Sequence, residues 1–499
     1  MIESLAQAHE RAMRLTLPGF ALIDGAEVRS ASGRTFENIG PRDGRVLNHV
    51  VAADAEDIDR AVRSARAAFE EGRWRKLPPR DKKRILAKLA DLLTRDAEDL
   101  ALLETLDTGK PLCDALAVDI PLAIGTARWY AEALDKIYGE VGVTSEDKLS
   151  LAVHEPLGVI GAIVPWNFPL HMALWKVAPA LAMGNSVVLK PAEQSPMTAL
   201  RLGQLALEAG LPPGVLNVVP GFGATAGHAL ARHMDVDMVA FTGSGSVGRK
   251  LMAYSGESNL KRISLELGGK SPQIIFADCA HLDEAAVDAA WGVFYNQGQV
   301  CTSASRLLVE RGLKDRFMDK VLRVAAAITP GDPLDPETRF GAMVSAEQMR
   351  TALRYIERAR NEGARLLLGG RQVLEKSGGY YVEPTVFDGV QQNMELASEE
   401  VFGPVLAVIE FEDRADAIRI ANDTPYGLGA GLWTSNIDTA HACARALRAG
   451  MVWVNGWDAC DITMPFGGFK QSGFGRDRSL HALAKYADLK AITFTTRTS

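Results

Sequence analysis

Apolar side chains recur every three to four positions in two segments near the start of the chain, residues 55–75 and 78–107. Positions with this spacing lie on one face of a helix. The two segments therefore predict amphipathic helices, the second of which ends before Gly109-Lys110-Pro111. The recurring residues are Ile58, Val62, Ala65 and Phe69 in the first segment and Ile85, Leu89 and Leu92 in the second.

The pattern changes at residue 158, where short β-branched runs begin to alternate with helical segments. Such alternation is typical of an α/β fold with a doubly wound parallel sheet. A second alternating series from residue 307 predicts another α/β domain. The runs are GVIGAIVPW, NSVVLKP, GVLNVVP, DMVAFTG and SPQIIFA, with helical segments at 197–210, 223–233 and 246–256, and then LLVERG, VLAVIEF and MVWVNG.

Two apolar segments interrupt this scheme, LSLAVHEP at 149–156 and DLKAITFTTRT at 488–498. Both are predicted to be strands outside either sheet. Exposed strands of this kind commonly pair with another subunit.

Composition narrows the function to small-molecule chemistry. Of the 499 residues, 47% are hydrophobic and 23% are charged, with a net charge of −7 and both signs interspersed. No basic stripe suggests nucleic acid, and no run of about 18 apolar residues predicts a membrane span. The N-terminal sequence lacks the apolar stretch and cleavage site of a secretion signal. We therefore expect a cytoplasmic protein with no nucleic-acid or membrane partner.

The cysteines stand at positions 113, 279, 301, 443 and 460, without CxxC or Cys/His ligand spacing. Neither a disulfide framework nor a metal site is expected. Most of them fit small buried side chains of a reducing compartment. Cys301 differs, because it lies in the polar, glycine-containing stretch NQGQVCTSASR.

A dinucleotide fingerprint is suggested by Gly243-Ser244-Gly245-Ser246-Val247-Gly248, which follows the run DMVAF and precedes Glu266. Its glycines would let the backbone approach a pyrophosphate, and the acid would bind ribose hydroxyls. However, the motif belongs to a late strand–helix unit, whereas the fingerprint belongs to the first unit of a Rossmann sheet. Glu266, followed by two glycines in LELGGKSP, is therefore left open for another task.

A catalytic Cys301 would need a lowered pKa or a nearby base. No histidine is close in sequence, so a carboxylate is the remaining candidate. The segment Val164-Pro165-Trp166-Asn167-Phe168-Pro169 directly follows a predicted strand. Its prolines restrict the backbone around Asn167, whose amide could donate to a developing oxyanion or could simply form a turn.

Several motifs together resemble the aldehyde dehydrogenase superfamily over nearly the whole chain. The resemblance implies an NAD-binding domain at 1–138 and 158–267, a catalytic domain at 268–484, and an oligomerisation element at 139–157 and 485–499. It also implies homodimers or homotetramers. The motifs are VPWNFPL, FTGSGSVG, LELGGKSP, FYNQGQVCTSASR, EEVFGPVL, NDTPYGLGAG and PFGGFKQSGFGRD.

By this resemblance Cys301 is the nucleophile, Asn167 and the Cys301 backbone N–H hold the oxyanion, and Glu266 is the general base for thioester hydrolysis. The cofactor is NAD rather than NADP, since a carboxylate at Glu193 would repel a 2′-phosphate. Ser246 stands where many relatives carry glutamate. The expected cofactor contacts are Trp166, Lys190, Glu193, Gly243, Ser244, Gly245, Gly248, Glu400 and Phe402.

The segments LALLETLDTGKP, VDIP, RWYAEALDKIYGEV and GRDRSLHAL most resemble dehydrogenases of ω-amino, γ-glutamylamino and guanidino aldehydes in polyamine and arginine catabolism. Three aspartates, Asp119, Asp458 and Asp461, are expected to attract an amine- or amide-bearing tail. Phe168 and Trp175 would form apolar walls, and Cys460 would leave the tunnel roomier than in relatives with a larger residue there. A solvated aspartate or an ordinary core aromatic is the alternative at each position.

Two other functions remain possible at this stage. One is a non-catalytic role for the fold, which the presence of both Cys301 and Glu266 disfavours. The other is a dehydrogenase that transfers the acyl group to coenzyme A, and Glu266 favours hydrolysis instead. An aliphatic or aromatic aldehyde of another kind is a further alternative for the substrate.

Overall fold

The computed structural model describes residues 4–459 and 461–496. Its helices are α1 (Leu5–Arg14), α2 (Ala55–Glu71), α3 (Pro79–Arg95), α4 (Ala97–Thr108), α5 (Leu112–Asp114), α6 (Ile120–Ala133), α7 (Pro169–Ala182), α8 (Met197–Ala209), α9 (His228–Arg232), α10 (Gly245–Gly256), α11 (Leu282–Phe294), α12 (Lys314–Ala327), α13 (Ala346–Asn361), α14 (Glu395–Ser398), α15 (Arg414–Asn422), α16 (Ile437–Ala446) and α17 (His481–Ala484). Its strands are β1 (Ala21–Ile23), β2 (Ala26–Val28), β3 (Thr35–Ile39), β4 (Val46–Val51), β5 (Glu140–Gly142), β6 (Lys148–Pro156), β7 (Val159–Ile163), β8 (Ser186–Lys190), β9 (Leu216–Val218), β10 (Met238–Gly243), β11 (Arg262–Leu267), β12 (Pro272–Ile275), β13 (Arg306–Glu310), β14 (Arg365–Leu368), β15 (Gln372–Val373), β16 (Tyr381–Val382), β17 (Thr385–Asp388), β18 (Val405–Phe411), β19 (Gly429–Trp433), β20 (Met451–Val454), β21 (Gly473–Phe474) and β22 (Ala487–Thr495).

The first sheet has the order β2-β1-β9-β8-β7-β10-β11-β21. Strands β9, β8, β7, β10 and β11 are parallel, which confirms the doubly wound prediction. Among the parallel strands, the chain runs from β7 through β8 to β9 on one side, and then crosses to β10 and β11 on the other. The order reverses between β7 and β10, and ligands of such sheets bind in the crevice at the carboxyl ends of these strands.

The second sheet has the order β14-β17-β18-β13-β12-β19-β20, and only β14 runs antiparallel to its neighbour. It contains the strands predicted from residues 307, 405 and 451. The domain division remains a prediction, and β21, inside the segment 268–484, pairs with β11 of the first sheet.

The two interrupting segments form a sheet of their own, with the order β22-β6-β5. Strands β6 and β22 pair antiparallel along their whole lengths, from Ala487 opposite Pro156 to Thr495 opposite Lys148. This confirms that both are strands outside the two larger sheets. Val141 and Leu489 leave apolar surface on this sheet exposed.

Local capping explains where the first predicted helix begins and ends. Asp54 caps the N-terminus of α2 together with Asp57, and the helix ends at Gly72 with φ 79°, where glycine adopts a left-handed conformation without strain. The second predicted helix is divided. It breaks at Asp96 into α3 and α4, and Arg95 and Arg201 both pair with the Asp96 carboxylate.

Helix α7 follows β7 and carries side chains to the crevice. Every residue from Pro169 to Ala182 is buried, as expected for a helix that is apolar on all sides. It is enclosed by helix α6 and strands of the first sheet, among other elements. Among the described residues, none of the helices is both long and apolar enough to cross a membrane.

Candidate active site

A cavity of about 780 Å³ opens at the carboxyl ends of β7 and β10 and reaches the loop that carries Cys301. Its size is within the range of small-molecule and cofactor sites. Most of the site residues expected from the sequence line its wall. They are Cys301, Glu266, Asn167, Trp166, Gly243, Ser244, Glu400, Phe402, Phe168, Trp175, Asp458 and Asp461.

The loop before Cys301 is wound tightly by left-handed residues. Asn296, Gln297 and Gly298 have φ values of 48°, 56° and 72°, which cost non-glycine residues conformational free energy. A Cβ at Gly298 would lie 2.2 Å from the Gly403 carbonyl oxygen, so only glycine fits there. The motif NQGQVC thus encodes a backbone that presents Cys301 to the cavity.

Asn167 is hydrogen-bonded to the same loop. Its Nδ2 donates to the Gln299 carbonyl oxygen at 2.9 Å, and its own carbonyl accepts from Asn296 Nδ2 at 3.1 Å. The side-chain nitrogen of asparagine carries two N–H donors. The hydrogen bond to the Gln299 carbonyl oxygen uses one of them. The second is available to an oxygen atom in the cavity beside Cys301.

The surroundings of Cys301 favour the protonated thiol. Burial raises its pKa well above the usual value, and the Glu266 and Glu400 carboxyl groups raise it further. Since the thiolate is the nucleophilic form, a catalytic Cys301 needs a group that removes its proton.

Glu266, near the end of β11, is a buried carboxyl group in the same cavity wall and a candidate for this task. Its side chain is 3% exposed, and Oε1 has no hydrogen-bond partner among the described residues. Burial raises its pKa to about 8, and the Asp477 charge adds to this shift. A carboxyl group with a pKa near working pH can both accept and donate protons.

A buried ion-pair cluster lies behind Glu266, and sequence reasoning missed it. Asp477 pairs with Lys176 of α7 and with Lys485. Burial opposes ionisation of Asp477, but the two lysines together hold its pKa below the usual value. The cluster shows no spacing signal, because its members are separated by as many as 309 positions in the sequence and meet only through the fold.

Two glycines after Glu266 allow close approach of the neighbouring groups. A Cβ at Gly268 would lie 1.9 Å from Glu400 Oε2, and one at Gly269 would lie 2.7 Å from the Cys301 carbonyl oxygen. The Gly269 N–H donates to Glu400 Oε1 at 3.1 Å. The motif LELGG therefore positions Glu266, Glu400 and Cys301 around one space.

The crevice between β7 and β10 fits a dinucleotide. Ser244 caps α10 through a hydrogen bond from Val247 N, and the first turn of a helix offers free N–H groups to a pyrophosphate. The buried Thr242 hydroxyl in the cavity wall lacks a partner among the described residues. Trp166 packs edge-on against Phe402 at 5.1 Å, which leaves a flat aromatic surface beside the crevice.

Lys190 and Glu193 lie beyond the cavity wall, at the end of β8 next to β7. The Lys190 ammonium is buried and lies 3.5 Å from Glu193 Oε2, whose side chain is 32% exposed. This pair presents a donor and an acceptor, as binding of a ribose diol requires. Their contact with the cofactor stays a prediction.

Gly245 and Gly248 do not line the cavity. Gly248 packs against β11, where an added Cβ would lie 3.0 Å from the Leu267 side chain. It therefore brings α10 close to the sheet, which is the role of the third glycine in such fingerprints. Gly245 forms the first residue of α10. For both glycines a contact with the cofactor stays a prediction.

The inner end of the cavity is aromatic. Trp175 contacts Phe466 at a centroid distance of 4.8 Å, and Phe168 stacks on Tyr295 at 6.4 Å. Trp175 Nε1 donates to His171 Nε2 at 2.7 Å. Burial lowers the pKa of His171 to about 3, so this imidazole stays neutral and serves as a fixed acceptor. Sequence reasoning did not single out His171, Tyr295 or Phe466.

Asp119 does not contact the cavity, contrary to expectation. It is fully buried and pairs with Lys110, whose ammonium lies 4.1 Å from the centre of the Phe168 ring. The neighbouring Val118 and Leu122 line the cavity instead. A sequence does not show which side of a turn faces the cavity, and Asp119 is removed from the candidate substrate contacts.

The other predicted aspartates are exposed in the cavity wall. Asp461 Oδ1 accepts from the Thr463 N–H at 2.8 Å and from its hydroxyl at 2.6 Å. Asp458 has a left-handed backbone with φ 51°. Cys460, between them, lies outside the described residues. Within those residues, no group of three or more His, Cys, Asp and Glu side chains is arranged to hold a metal ion.

Comparison with known proteins identifies close relatives. The profile of the aldehyde dehydrogenase family matches residues 28–492. The NADP/NAD-dependent aldehyde dehydrogenase PuuC of Escherichia coli K12 is 49% identical over 488 residues, 98% of each chain. A crystal structure of indole-3-acetaldehyde dehydrogenase with NAD⁺ is similar with TM-score 0.98 and 56% identity, covering 99% of this chain and 100% of that one. The γ-glutamyl-γ-aminobutyraldehyde dehydrogenase of Burkholderia cenocepacia J2315 is similar with TM-score 0.98, 52% identity and the same coverage.

Proposed function

This chain belongs to the aldehyde dehydrogenase family and is an NAD-dependent aldehyde dehydrogenase, and we propose that it oxidises an aliphatic aldehyde with an amine- or amide-bearing tail. One observation carries the proposed mechanism. Cys301, Asn167 and Glu266 line the same cavity, with a protonated thiol, a spare amide donor and a carboxyl group of raised pKa.

In the proposed reaction the Cys301 thiol transfers its proton to a base, and the sulfur attacks the aldehyde carbon. The resulting thiohemiacetal oxyanion accepts hydrogen bonds from the Asn167 amide and the Cys301 backbone N–H. When bound, NAD would accept a hydride, and loss of this hydride from the thiohemiacetal carbon leaves a thioester on Cys301. Glu266 then removes a proton from water, which attacks the Cys301 thioester and releases the carboxylic acid.

Glu266 favours hydrolysis over transfer of the acyl group to coenzyme A. In the described part of the chain its buried Oε1 has no hydrogen-bond partner, so the carboxyl group is free to bind and activate the water that would attack the thioester. The same feature disfavours a purely structural role for the fold, since an unpaired buried polar atom is costly to keep without a function.

Charge and aromatic surface support the proposed substrate. The exposed Asp458 and Asp461 carboxylates suit a cationic or N–H-bearing tail, while Phe168 and Trp175 suit the methylene groups between tail and aldehyde. One similar structure is that of a γ-glutamyl-γ-aminobutyraldehyde dehydrogenase, which agrees with this proposal.

An aromatic aldehyde is the second candidate. The packed rings of Trp175 and Phe466 and of Phe168 and Tyr295 would also enclose an indole or phenyl group. Another similar structure is that of an indole-3-acetaldehyde dehydrogenase.

The substrate proposal is tested by NAD reduction with a panel of aldehydes. The panel contains 4-aminobutanal, its N-acyl amide, hexanal, benzaldehyde and indole-3-acetaldehyde. We expect kcat/KM to be about tenfold or more higher for the amine or amide than for hexanal, since a charged hydrogen bond commonly contributes ~1.5–3 kcal/mol. A higher value for either aromatic aldehyde than for both tailed substrates would select the second candidate.

Glu193 is proposed to select NAD over NADP. Replacing it in Glu193→Gln should lower the ratio of kcat/KM for NAD to that for NADP by about tenfold, because a carboxylate that repels a 2′-phosphate is lost. The matched control is Glu70→Gln, which removes an exposed carboxylate of α2 that pairs with Arg66. An equal ratio in Glu193→Gln and the wild type would place selectivity elsewhere.

The sheet β22-β6-β5 supports a proposed homodimer or homotetramer. Its exposed Val141, Leu489 and Phe494 side chains form apolar surface of the kind that subunit interfaces cover.

A further inference from the structure

We propose that Arg478 is a specificity-determining residue that binds a carboxylate at the far end of the aldehyde substrate. This inference rests on the proposed function and deepens it, because it adds an anionic group to the tail. Arg478 lines the cavity although it is only 7% exposed.

The guanidinium of Arg478 lacks an acceptor of its own. In the described part of the chain it donates no hydrogen bond and has no carboxylate at ion-pair distance. Its contact is with the face of Trp175, 5.8 Å from the ring centre. Arginine carries five N–H donors and remains charged at all working pH values. In the described part of the chain none of its nitrogen atoms is both buried and unpartnered, so its N–H groups are accessible from the cavity, where an oxygen atom of a ligand can supply the missing acceptor.

The surroundings hold Arg478 in place for such a ligand. Trp175 is fixed by its hydrogen bond to His171, and His171 is neutral, because burial lowers its pKa to about 3 and Arg478 also disfavours a second positive charge. The guanidinium therefore lies beside a fixed ring in the cavity wall. This arrangement matches the two parallel hydrogen bonds by which arginine binds a carboxylate.

The backbone at Arg478 and Ser479 is left-handed, which helps to direct the Arg478 side chain. Arg478 and Ser479 have φ values of 61° and 52°, and consecutive left-handed non-glycine residues are uncommon outside functional sites. The Ser479 N–H donates to the Ile462 carbonyl at 2.8 Å, and the Tyr130 hydroxyl donates to the Ser479 carbonyl at 3.3 Å. While Asp477 is held between two lysines, this turn directs Arg478 to the other side, into the cavity.

Asp461 does not neutralise Arg478. Hydrogen bonds from Thr463 are the main cause of the lowered pKa of Asp461, and Arg478 contributes only weakly to it. The cavity therefore presents a guanidinium and a separate carboxylate at the same end. A tail that carries both a carboxylate and an amine or amide would satisfy both groups.

The test compares substrates that differ only in tail charge. 6-Oxohexanoate and 6-oxohexanamide have the same length and shape, and hexanal lacks the polar end. The same comparison is made with the homologues that are one methylene group longer, so that two tail lengths are tested. We expect kcat/KM of the wild type to be about ten- to hundredfold higher for the oxo acid than for the oxo amide of the best length, as for a charged hydrogen bond, mainly through a lower KM.

In Arg478→Gln the ratio of kcat/KM for the oxo acid to kcat/KM for the oxo amide should fall to about 1. In Arg478→Lys part of the preference for the acid should return. Oxidation of hexanal should change by less than about twofold in both variants. The matched control is Arg128→Gln, which removes a cation near the cavity mouth that is already paired with Asp91 and should leave the acid-to-amide ratio unchanged. Asp461→Asn, in contrast, should raise the ratio by removing a repelling charge.

Two results would overturn the inference alone. One is equal use of the acid and the amide by a wild type that does prefer tailed aliphatic aldehydes. The other is an equal loss for hexanal and the oxo acid in Arg478→Gln, which would show that Arg478 only supports Trp175. Failure of every straight-chain substrate, with turnover of indole-3-acetaldehyde, would overturn the proposed function and this inference with it.

Discussion

Replacing Cys301 with alanine should abolish aldehyde-dependent NAD reduction, lowering kcat/KM by about 10³-fold or more. The sulfur is proposed to form the covalent intermediate, and neither water nor a neighbouring hydroxyl can substitute for it. NAD affinity, measured by calorimetry, should change by less than about threefold, because the groove at Ser244, Lys190 and Glu193 is untouched.

The matched control is Cys113→Ala. Cys113 is half-buried with its Sγ 3.1 Å from the Thr338 carbonyl oxygen, and it lies outside the cavity wall, so activity should stay within about twofold of the wild type. Intact-mass measurement after mixing with NAD and aldehyde should detect an acyl adduct in the control and none in Cys301→Ala. Activity retained in Cys301→Ala would refute the covalent mechanism.

Most of the fold can be predicted from the sequence, because apolar residues recur at regular intervals within each buried strand or helix. The β-branched runs from 158 to 277 form strands β7 to β12, since a strand buried on both faces needs a continuous apolar run. The break at Asp96 was missed, because the apolar spacing continues across it and the arginines that hold Asp96 come from two different places. Boundaries set by such long-range pairs leave no local pattern.

Some residues of the candidate site can likewise be predicted from local sequence, and others cannot. Cys301 and Asn167 stand out because their loops carry glycine and proline, which mark special backbone. Asp119 misled because a buried aspartate and an exposed one look alike in sequence until Lys110 is placed beside it. Arg478 and the Lys176–Asp477–Lys485 cluster were missed because their significance depends on what lies opposite, and sequence spacing does not report it.

The GxGxxG motif shows how topology decides between two interpretations. Strand β7 is the first parallel strand of the doubly wound sheet, and the turn after it carries Trp166 and Asn167 rather than a glycine-rich fingerprint. The motif at 243–248 follows β10 on the other side of the reversal point. Glu266 ends the strand after that, where its carboxyl group lines the cavity with Cys301 rather than the groove of Lys190. We therefore propose Glu193 for the ribose role.

Replacing Glu266 with glutamine should lower kcat by about two orders of magnitude, which corresponds to ~2.7 kcal/mol of activation free energy. The amide has nearly the same shape but cannot accept a proton from water. NAD affinity should remain within about threefold of the wild type. In Glu266→Asp part of the activity should return, because a carboxylate is retained at a shorter reach.

The pH dependence of kcat gives the sharper test of Glu266. Burial raises its pKa to about 8, so the ionised, proton-accepting form increases as pH rises through about 8. If hydrolysis limits the rate, wild-type kcat should rise across this range, and Glu266→Gln should lose the rise.

Stopped-flow measurement should then show a burst of about one NADH per active site in Glu266→Gln, followed by slow turnover, because the thioester forms but is not hydrolysed. Slow turnover without a burst would move the main role of Glu266 to deprotonation of Cys301. Weak NAD binding as the chief defect would instead make Glu266 a cofactor ligand, as the fingerprint interpretation of residues 243–248 requires.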